Sequence, residues 1–179
     1  MPARRNLPDN DAIVEAVAAD ILQTGLLHWT LRGCGDRIDV SARMLAHHFG
    51  NRENLLRAGC DRIHEIHRDL WFGPEPVTGF DRLVDDDLLP AIRFGSDLAA
   101  LAVAEGGLYA ELYETTMADW RQRLEAALVD GGSPDPRRRA ELAVIAIRGV
   151  HVHFGVTRDL ATARRLLLDL QALVVGPGD

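Results

Sequence analysis

Lysine is missing altogether: all 20 basic residues are Arg, set against 27 acidic ones for a net charge of −7. Arg keeps its charge at any physiological pH and presents a planar fork suited to phosphate, so fixed bidentate contacts are favoured over titratable ones. Cysteine is nearly as scarce. Cys34 and Cys60 stand alone, with no CxxC spacing and no Cys/His array, which argues against a disulfide framework or structural zinc and leaves two small buried hydrophobes. No uninterrupted apolar run reaches the roughly 20 residues that cross a bilayer. The opening Met-Pro-Ala-Arg-Arg-Asn lacks the apolar stretch of a signal peptide, so a cytoplasmic protein without a membrane partner is expected. Nucleophile elbow, phosphate loop, zinc motif and Ser/His/Asp set are all missing, and the expectation is of a non-enzyme with no cofactor.

What is present is apolar periodicity of helical spacing. With 47% apolar content over 179 residues, the chain can bury a sizeable core, as one domain or as a small headpiece on a larger body. Ile13, Val17 and Ile21 repeat every four residues, with Val14, Ala18 and Leu22 beside them, which predicts a first helix over 9–24 closed by Gly25. Further helices are expected over 30–37, 41–48 and 52–71. After a Gly- and Pro-rich loop at 73–79 come helices over 80–94, 97–104, 108–129, 136–156 and 159–174. No strand pattern or internal repeat appears. The fold class is therefore all-α with about nine helices: a helix-turn-helix domain over 1–57 and a helical ligand-binding and dimerisation domain over 58–179.

Residues 38–56, IDVSARMLAHHFGNRENLL, carry the most information. Ser41 suits an N-cap, Gly50 a helix stop, and Asn51 the cap of the next helix. Met44, Leu45 and His48 share one face, turning Ala42, Arg43, Ala46 and His47 the other way, and His48 and Phe49 are expected to pack. Arg52 and Asn54 fall in the first turn of the next helix, where unpaired amides attract phosphate. Gly33 and Gly35 fall inside helix two, where each costs roughly 1 kcal/mol against Ala. Through Thr30-Leu31-Arg32, Val40-Ser41 and Leu45-Ala46-His47-His48-Phe49-Gly50-Asn51-Arg52-Glu53-Asn54-Leu55-Leu56, the chain resembles the tetracycline-repressor (TetR) family of transcriptional regulators. The match covers about residues 10–60. The resemblance implies a helix-turn-helix reader of a double-stranded DNA operator, with Thr30, Arg32, Ser41, Ala42, Arg43, His47 and Arg52 facing the duplex. Arg43 would read a guanine edge, while Thr30, His47 and Arg52 would hold phosphates.

Charge divides unevenly. Residues 1–70 hold nine Arg against ten acidic residues, and 71–179 hold eleven against seventeen, so the body is the acidic part. A near-neutral headpiece can still bind DNA if its Arg cluster, because salt screens distant acids within about 10 Å. Arg4 and Arg5 read as a tail able to act as a minor-groove arm.

Aromatic and mixed polar residues recur on body helices expected to surround a cavity: His64, His67 and Trp71, then Phe94, then Tyr109, Tyr113 and Trp120, then His151 and Phe154. Such a set suits an unknown small-molecule effector, with plain core packing as the alternative for each residue. No metal is expected. His47/His48 and His151/His153 diverge around their helices, and only His64 and His67 share a face. Asp85-Asp86-Asp87 reads as a solvated helical face. The last two helices carry two apolar lines each, Leu142, Ile145, Gly149 and Val152 against Val144, Ile147, His151 and Phe154 on one, and Leu166, Leu167, Leu170, Leu173 and Val174 on the other. A homodimer through 136–156 and 159–174 would cover the surplus face. The function read is a dimeric repressor that binds a pseudo-palindromic operator and is released by its effector. The alternative is a small-molecule-binding protein of the same fold with weak or lost DNA binding, suggested by Ala42, Ala46, Gly33, Gly35 and the acidic balance.

Overall fold

The computed structural model describes residues 9–72 and 79–175; Arg4, Arg5, most of the expected 73–79 loop and the Gly-Pro-Gly tail lie outside them. Among the described residues there are eight α-helices and no strand: α1 Asn10–Thr24, α2 Leu31–Arg37, α3 Ala42–Phe49, α4 Arg52–Phe72, α5 Leu89–Glu105, α6 Gly107–Asp130, α7 Pro136–Thr157 and α8 Leu160–Val175. The all-α class stands, with one helix fewer than the periodicity suggested. Two expected elements, 80–94 and 97–104, form the single helix α5. The chain before it makes two short 3-10 turns, Phe80–Leu83 and Asp86–Leu88, separated by Val84 in an extended conformation. Pro90 in the first turn of α5 fits this late start, since proline lacks the amide that a helix interior needs. Gly95 does not break α5 because it is there for packing: a Cβ would come within 2.2 Å of Arg148 Nη1. Asp85, Asp86 and Asp87 accordingly lie at a 3-10 turn and not within a helix, with Asp85 paired to Arg164 at 2.5 Å.

Two apolar clusters organise the chain. Ile13, Val17 and Ile21 of α1, Leu45 of α3, and Leu55, Leu56, Cys60 and Ile63 of α4 form the first, which also takes in Phe94, Leu98, Tyr109 and Leu112 from α5 and α6. Trp71, Ile92, Trp120, Ile147, Phe154 and Leu167 belong to the second. The division expected at 57/58 therefore falls inside a continuous helix, and the headpiece core crosses it. Cys34 and Cys60 are buried free thiols, and burial pushes both up to about 12, which keeps them protonated and unreactive.

The helix-turn-helix depends on two backbone details. Asp39 takes the left-handed conformation at φ 55° that swings the chain from α2 to α3, a position Asp tolerates better than most side chains. Gly35, expected to weaken α2, instead permits the turn to close: the Val40 amide donates to the Gly35 carbonyl at 3.0 Å, and a Cβ on Gly35 would sit 2.5 Å from the Val40 carbonyl oxygen. The helix-propensity loss is offset by a close approach that only glycine allows.

α7 is long and apolar enough, by length and composition alone, to cross a membrane. It packs instead along one line, where Val144, Ile147, His151 and Phe154 are buried, and it carries Arg148 inward.

The two glycines of α2 should therefore respond oppositely to alanine. Gly35→Ala is expected to lower unfolding free energy by about 1–3 kcal/mol, since the backbone oxygen it meets cannot step aside. In Gly33→Ala the nearest atoms are side-chain ends of Arg37 and Thr30, so the change should be neutral or stabilising by up to about 1 kcal/mol. Urea denaturation followed by circular dichroism checks both; equal losses would mean that the turn is not the constraint.

Candidate functional site

Two places gather the chemistry-bearing residues: the outer face of α2 and α3, and a cavity walled by α4, α5, α6 and α7.

All three headpiece caps form as the residue types require. Thr30 Oγ1 accepts the Gly33 amide at 3.1 Å, Ser41 Oγ accepts the Met44 amide at 3.2 Å, and Asn51 Oδ1 accepts the Asn54 amide at 2.8 Å. With Leu45 buried and Met44 and Phe49 packed beside it, Arg43 and His47 project into solvent and Ala42 is half-buried. His48 corrects an expectation, because it too is exposed. Of the eight residues of α3 only Leu45 is buried, so the face that carries His48 stays open to solvent.

The pose of α2 is set by Asp20 of α1, whose carboxylate accepts both Nε and Nη2 of Arg37. Burial pushes the Asp20 carboxyl up, but the Arg37 fork together with hydrogen bonds from Cys34 and Trp29 outweighs it and leaves the pKa below its ordinary value. Arg32 and Arg43 have no intramolecular partner among the described residues. Arg52 does. Its Nη2 donates to the Tyr109 hydroxyl at 3.5 Å and its guanidinium lies 5.7 Å from the Trp29 ring centre, so this charge ties the headpiece to α6 as well as facing outward.

The cavity collects six of the nine residues named from sequence: His64, His67, Trp71, Phe94, Tyr113 and Trp120. Its free volume is about 20 Å³, room for about one water. His67 stacks on Trp71 with ring centres 5.6 Å apart, and Trp71 meets Trp120 edge-on at 4.2 Å. His64 Nε2 lies 3.1 Å from Asp119 Oδ2. The other three named residues are elsewhere. Tyr109 packs in the headpiece cluster, Phe154 is wholly buried in the second cluster, and His151 donates Nε2–H to the Leu83 carbonyl at 2.7 Å. That bond pins the 3-10 turn before α5, a partner that helical spacing could not reveal.

Ala91, Gly95, Leu98, Thr116, Met117 and Arg148 complete the wall and were not among the named residues. Arg148 had a signal: it is a lone charge in the apolar run LAVIAIRGVHVHF of α7. Its guanidinium lies 5.8 Å from the Trp120 ring centre and against Gly95. Burial lowers its pKa from the ordinary arginine value, opposed by neighbouring Tyr113. No group of three or more His, Cys, Asp or Glu suited to a metal occurs among the described residues.

No protein-family model matches the chain. Its sequence is 27% identical over 168 residues to the HTH-type transcriptional regulator BetI of Burkholderia mallei, covering 92% of this chain and 76% of that protein. A Rhodococcus sp. protein described as a TetR-family transcriptional regulator superposes with a TM-score of 0.77 at 23% identity, over 92% of this chain and 97% of that one. Salmonella enterica GusR superposes with a TM-score of 0.66 at 19% identity, over 90% and 93%. At these identities the solved structures carry the fold.

The buried imidazoles give the body an acid-sensitive stability. Burial, with Arg148 nearby, lowers His67 and His151 to about 4, whereas unfolded His titrates near 6.5. The unfolded chain thus binds more protons between those values, so stability is complete above about pH 6.5 and is lost as pH falls toward 4. The thermal midpoint should fall across that window, and less steeply in a His67→Phe, His151→Gln double variant; an unchanged slope would assign the acid response to other groups.

Proposed function

We propose that this chain, which is similar to TetR-type helix-turn-helix regulators in fold and in sequence, works in the cytoplasm as a homodimeric, ligand-responsive repressor. The observation that carries the reading is the capped α2-turn-α3 unit with Arg32, Arg43 and His47 standing free on its outer face. Arg43, near the start of α3, reads base edges in the major groove. Thr30, Arg32, Ser41 and His47 hold phosphates, and Ala42 makes the close apolar approach. Arg52 contributes only as far as its contacts with Trp29 and Tyr109 allow.

Dimerisation is supported by what α7 leaves uncovered. Leu142, Ile145, Val152 and Val156 are each 52–80% exposed, and with Gly149, open on its outer side, they follow the alternating three- and four-residue spacing of a helix-packing seam. Leu168 and Leu173 extend it on α8. An apolar stripe of this length is unusual on a monomer, and a second copy about a two-fold axis would cover it, setting two α3 helices into successive major grooves about 34–36 Å apart.

The effector site is the cavity. α5 supplies its wall with Phe94, Gly95 and Leu98, and from the same helix Arg93 Nη2 donates to the Gln23 carbonyl at 3.0 Å while Asp97 Oδ2 accepts the Leu27 amide at 3.3 Å. A ligand that parts α4 from α5 therefore pulls on the end of α1 and re-aims the headpiece. A coupling of about 1–3 kcal/mol suffices for release.

A second reading has Arg52 and the near-neutral headpiece in its favour: the fold is kept while specific DNA binding is weak, leaving a small-molecule binder. A gel-shift on the DNA upstream of its own gene, with a salt series, separates the two. The repressor should retain one sequence specifically, Arg43→Ala should lose about 1–3 kcal/mol of preference among operator variants, and Arg32→Ala should weaken all duplexes alike and flatten the salt slope by about one unit. Wild-type behaviour of both variants on every duplex would favour the second reading. Light scattering at micromolar concentration should find a dimer that Gly149→Arg disrupts by driving a charge into the seam; a wild-type monomer counts against the assembly.

A further inference from the structure

The cavity wall is unbalanced in its polar chemistry. Arg148 brings a permanent positive charge into the interior from the middle of α7, and no carboxylate pairs with it among the described residues. Asp119, the acid at the rim, is taken by Arg123 at 2.9 Å and His64 at 3.1 Å. His67 is held neutral at physiological pH by its burial, so it adds no compensating or competing charge. The indole N–H groups of Trp71 and Trp120, 3% and 4% exposed, also have no acceptor. A half-buried cation whose hydrogen-bond partner is the uncharged Tyr113 hydroxyl, beside two buried donors without acceptors, forms a costly arrangement for a wall with only structural duties. Gly95 deepens the point: α5 gives up a side chain in its interior, and the Arg148 guanidinium lies in the space so made.

Ring-lined cavities often receive cations through their aromatic faces. Here that seat is occupied, because Arg148 itself lies over Trp120. What the wall lacks is an acceptor with negative charge. We infer that the cavity binds a small organic anion, a carboxylate with a flat apolar body, whose charge is paired by Arg148 and whose body lies among Trp71, Phe94 and Trp120. This rests on the cavity being the effector site and specifies the effector's chemistry. Entry of such a molecule exceeds the present free volume of about 20 Å³ and so requires the parting of α4 and α5 that release of DNA calls for. Carboxylate and guanidinium meet as two parallel hydrogen bonds, which fixes the anion's orientation as well as its charge.

The test titrates the full-length dimer with benzoate, phenylacetate and hexanoate, each beside its neutral amide, and with tetramethylammonium. Tryptophan fluorescence and the thermal midpoint are the readouts. At least one acid should bind and raise the midpoint, with its amide weaker by about tenfold or more and tetramethylammonium silent. Arg148→Gln should bring acid and amide to near-equal affinity, while Arg148→Lys should keep the preference at lower affinity. If the glutamine variant fails to fold, the wild-type comparison of acid with amide still decides. Amides or tetramethylammonium binding as well as the acids would overturn the anion while leaving the effector site in place. Preference for acids undiminished in Arg148→Gln would overturn the role of Arg148. Silence of every probe would overturn the inference and, with it, the reading of this cavity as more than core.

Discussion

Because α4 is one uninterrupted helix of 21 residues that buries Leu55, Leu56, Cys60 and Ile63 under the headpiece and Trp71 in the body, neither part can move without the other registering it. A helix resists bending, and packed cores accommodate displacement in steps more readily than as a continuous strain. Its first two turns are additionally tied to α6 through Arg52 and Tyr109 and through the 2.7 Å pair of Arg57 with Glu111. The aromatic wall of the cavity and the pose of α3 are thus two ends of one rigid element, which gives a small rearrangement around His67 and Trp71 a direct route to the outer face.

Charge drawn into the interior of this chain is unevenly satisfied. Asp20 is closed off by the Arg37 fork, and Asp97 accepts the Leu27 amide, both in the service of holding α1, α2 and α5 in place. Arg148 is hydrogen-bonded to Tyr113 but has no carboxylate partner among the described residues. A structural charge that loses its partner destabilises, so a fold tolerates an open one only where another gain offsets it. In the headpiece, Arg37 and Arg52 hold other elements in place, whereas Arg32 and Arg43 are exposed without an intramolecular partner among the described residues.

Much of the fold was legible because helix ends are local. Thr30, Ser41 and Asn51 cap their helices through a side-chain oxygen three residues from the amide it accepts, so neighbouring residue types are enough to place them. The surplus apolar line of α7 was equally legible, since its spacing needs no knowledge of the partner. Five of the six cavity residues were readable for the same reason: rings at helical spacing on α4 and α6 must face one way. Tyr109, His151 and Phe154 share that spacing yet belong to packing, because periodicity gives a direction around one helix axis and not the depth at which neighbouring helices cross.

What the sequence alone determined, then, is every feature carried by contacts within about one helical turn: the all-α class, the capped helix-turn-helix, the outward Arg43 and His47, and the unclaimed face of α7. What only the tertiary structure decided depends on atoms far apart in the chain. Gly95 continues a helix because Arg148, over fifty positions later, lies against it. Arg52 joins headpiece to body because Trp29 and Tyr109 converge there. A glycine or an arginine has the same local propensity in either role, and the difference lies in which remote group approaches it.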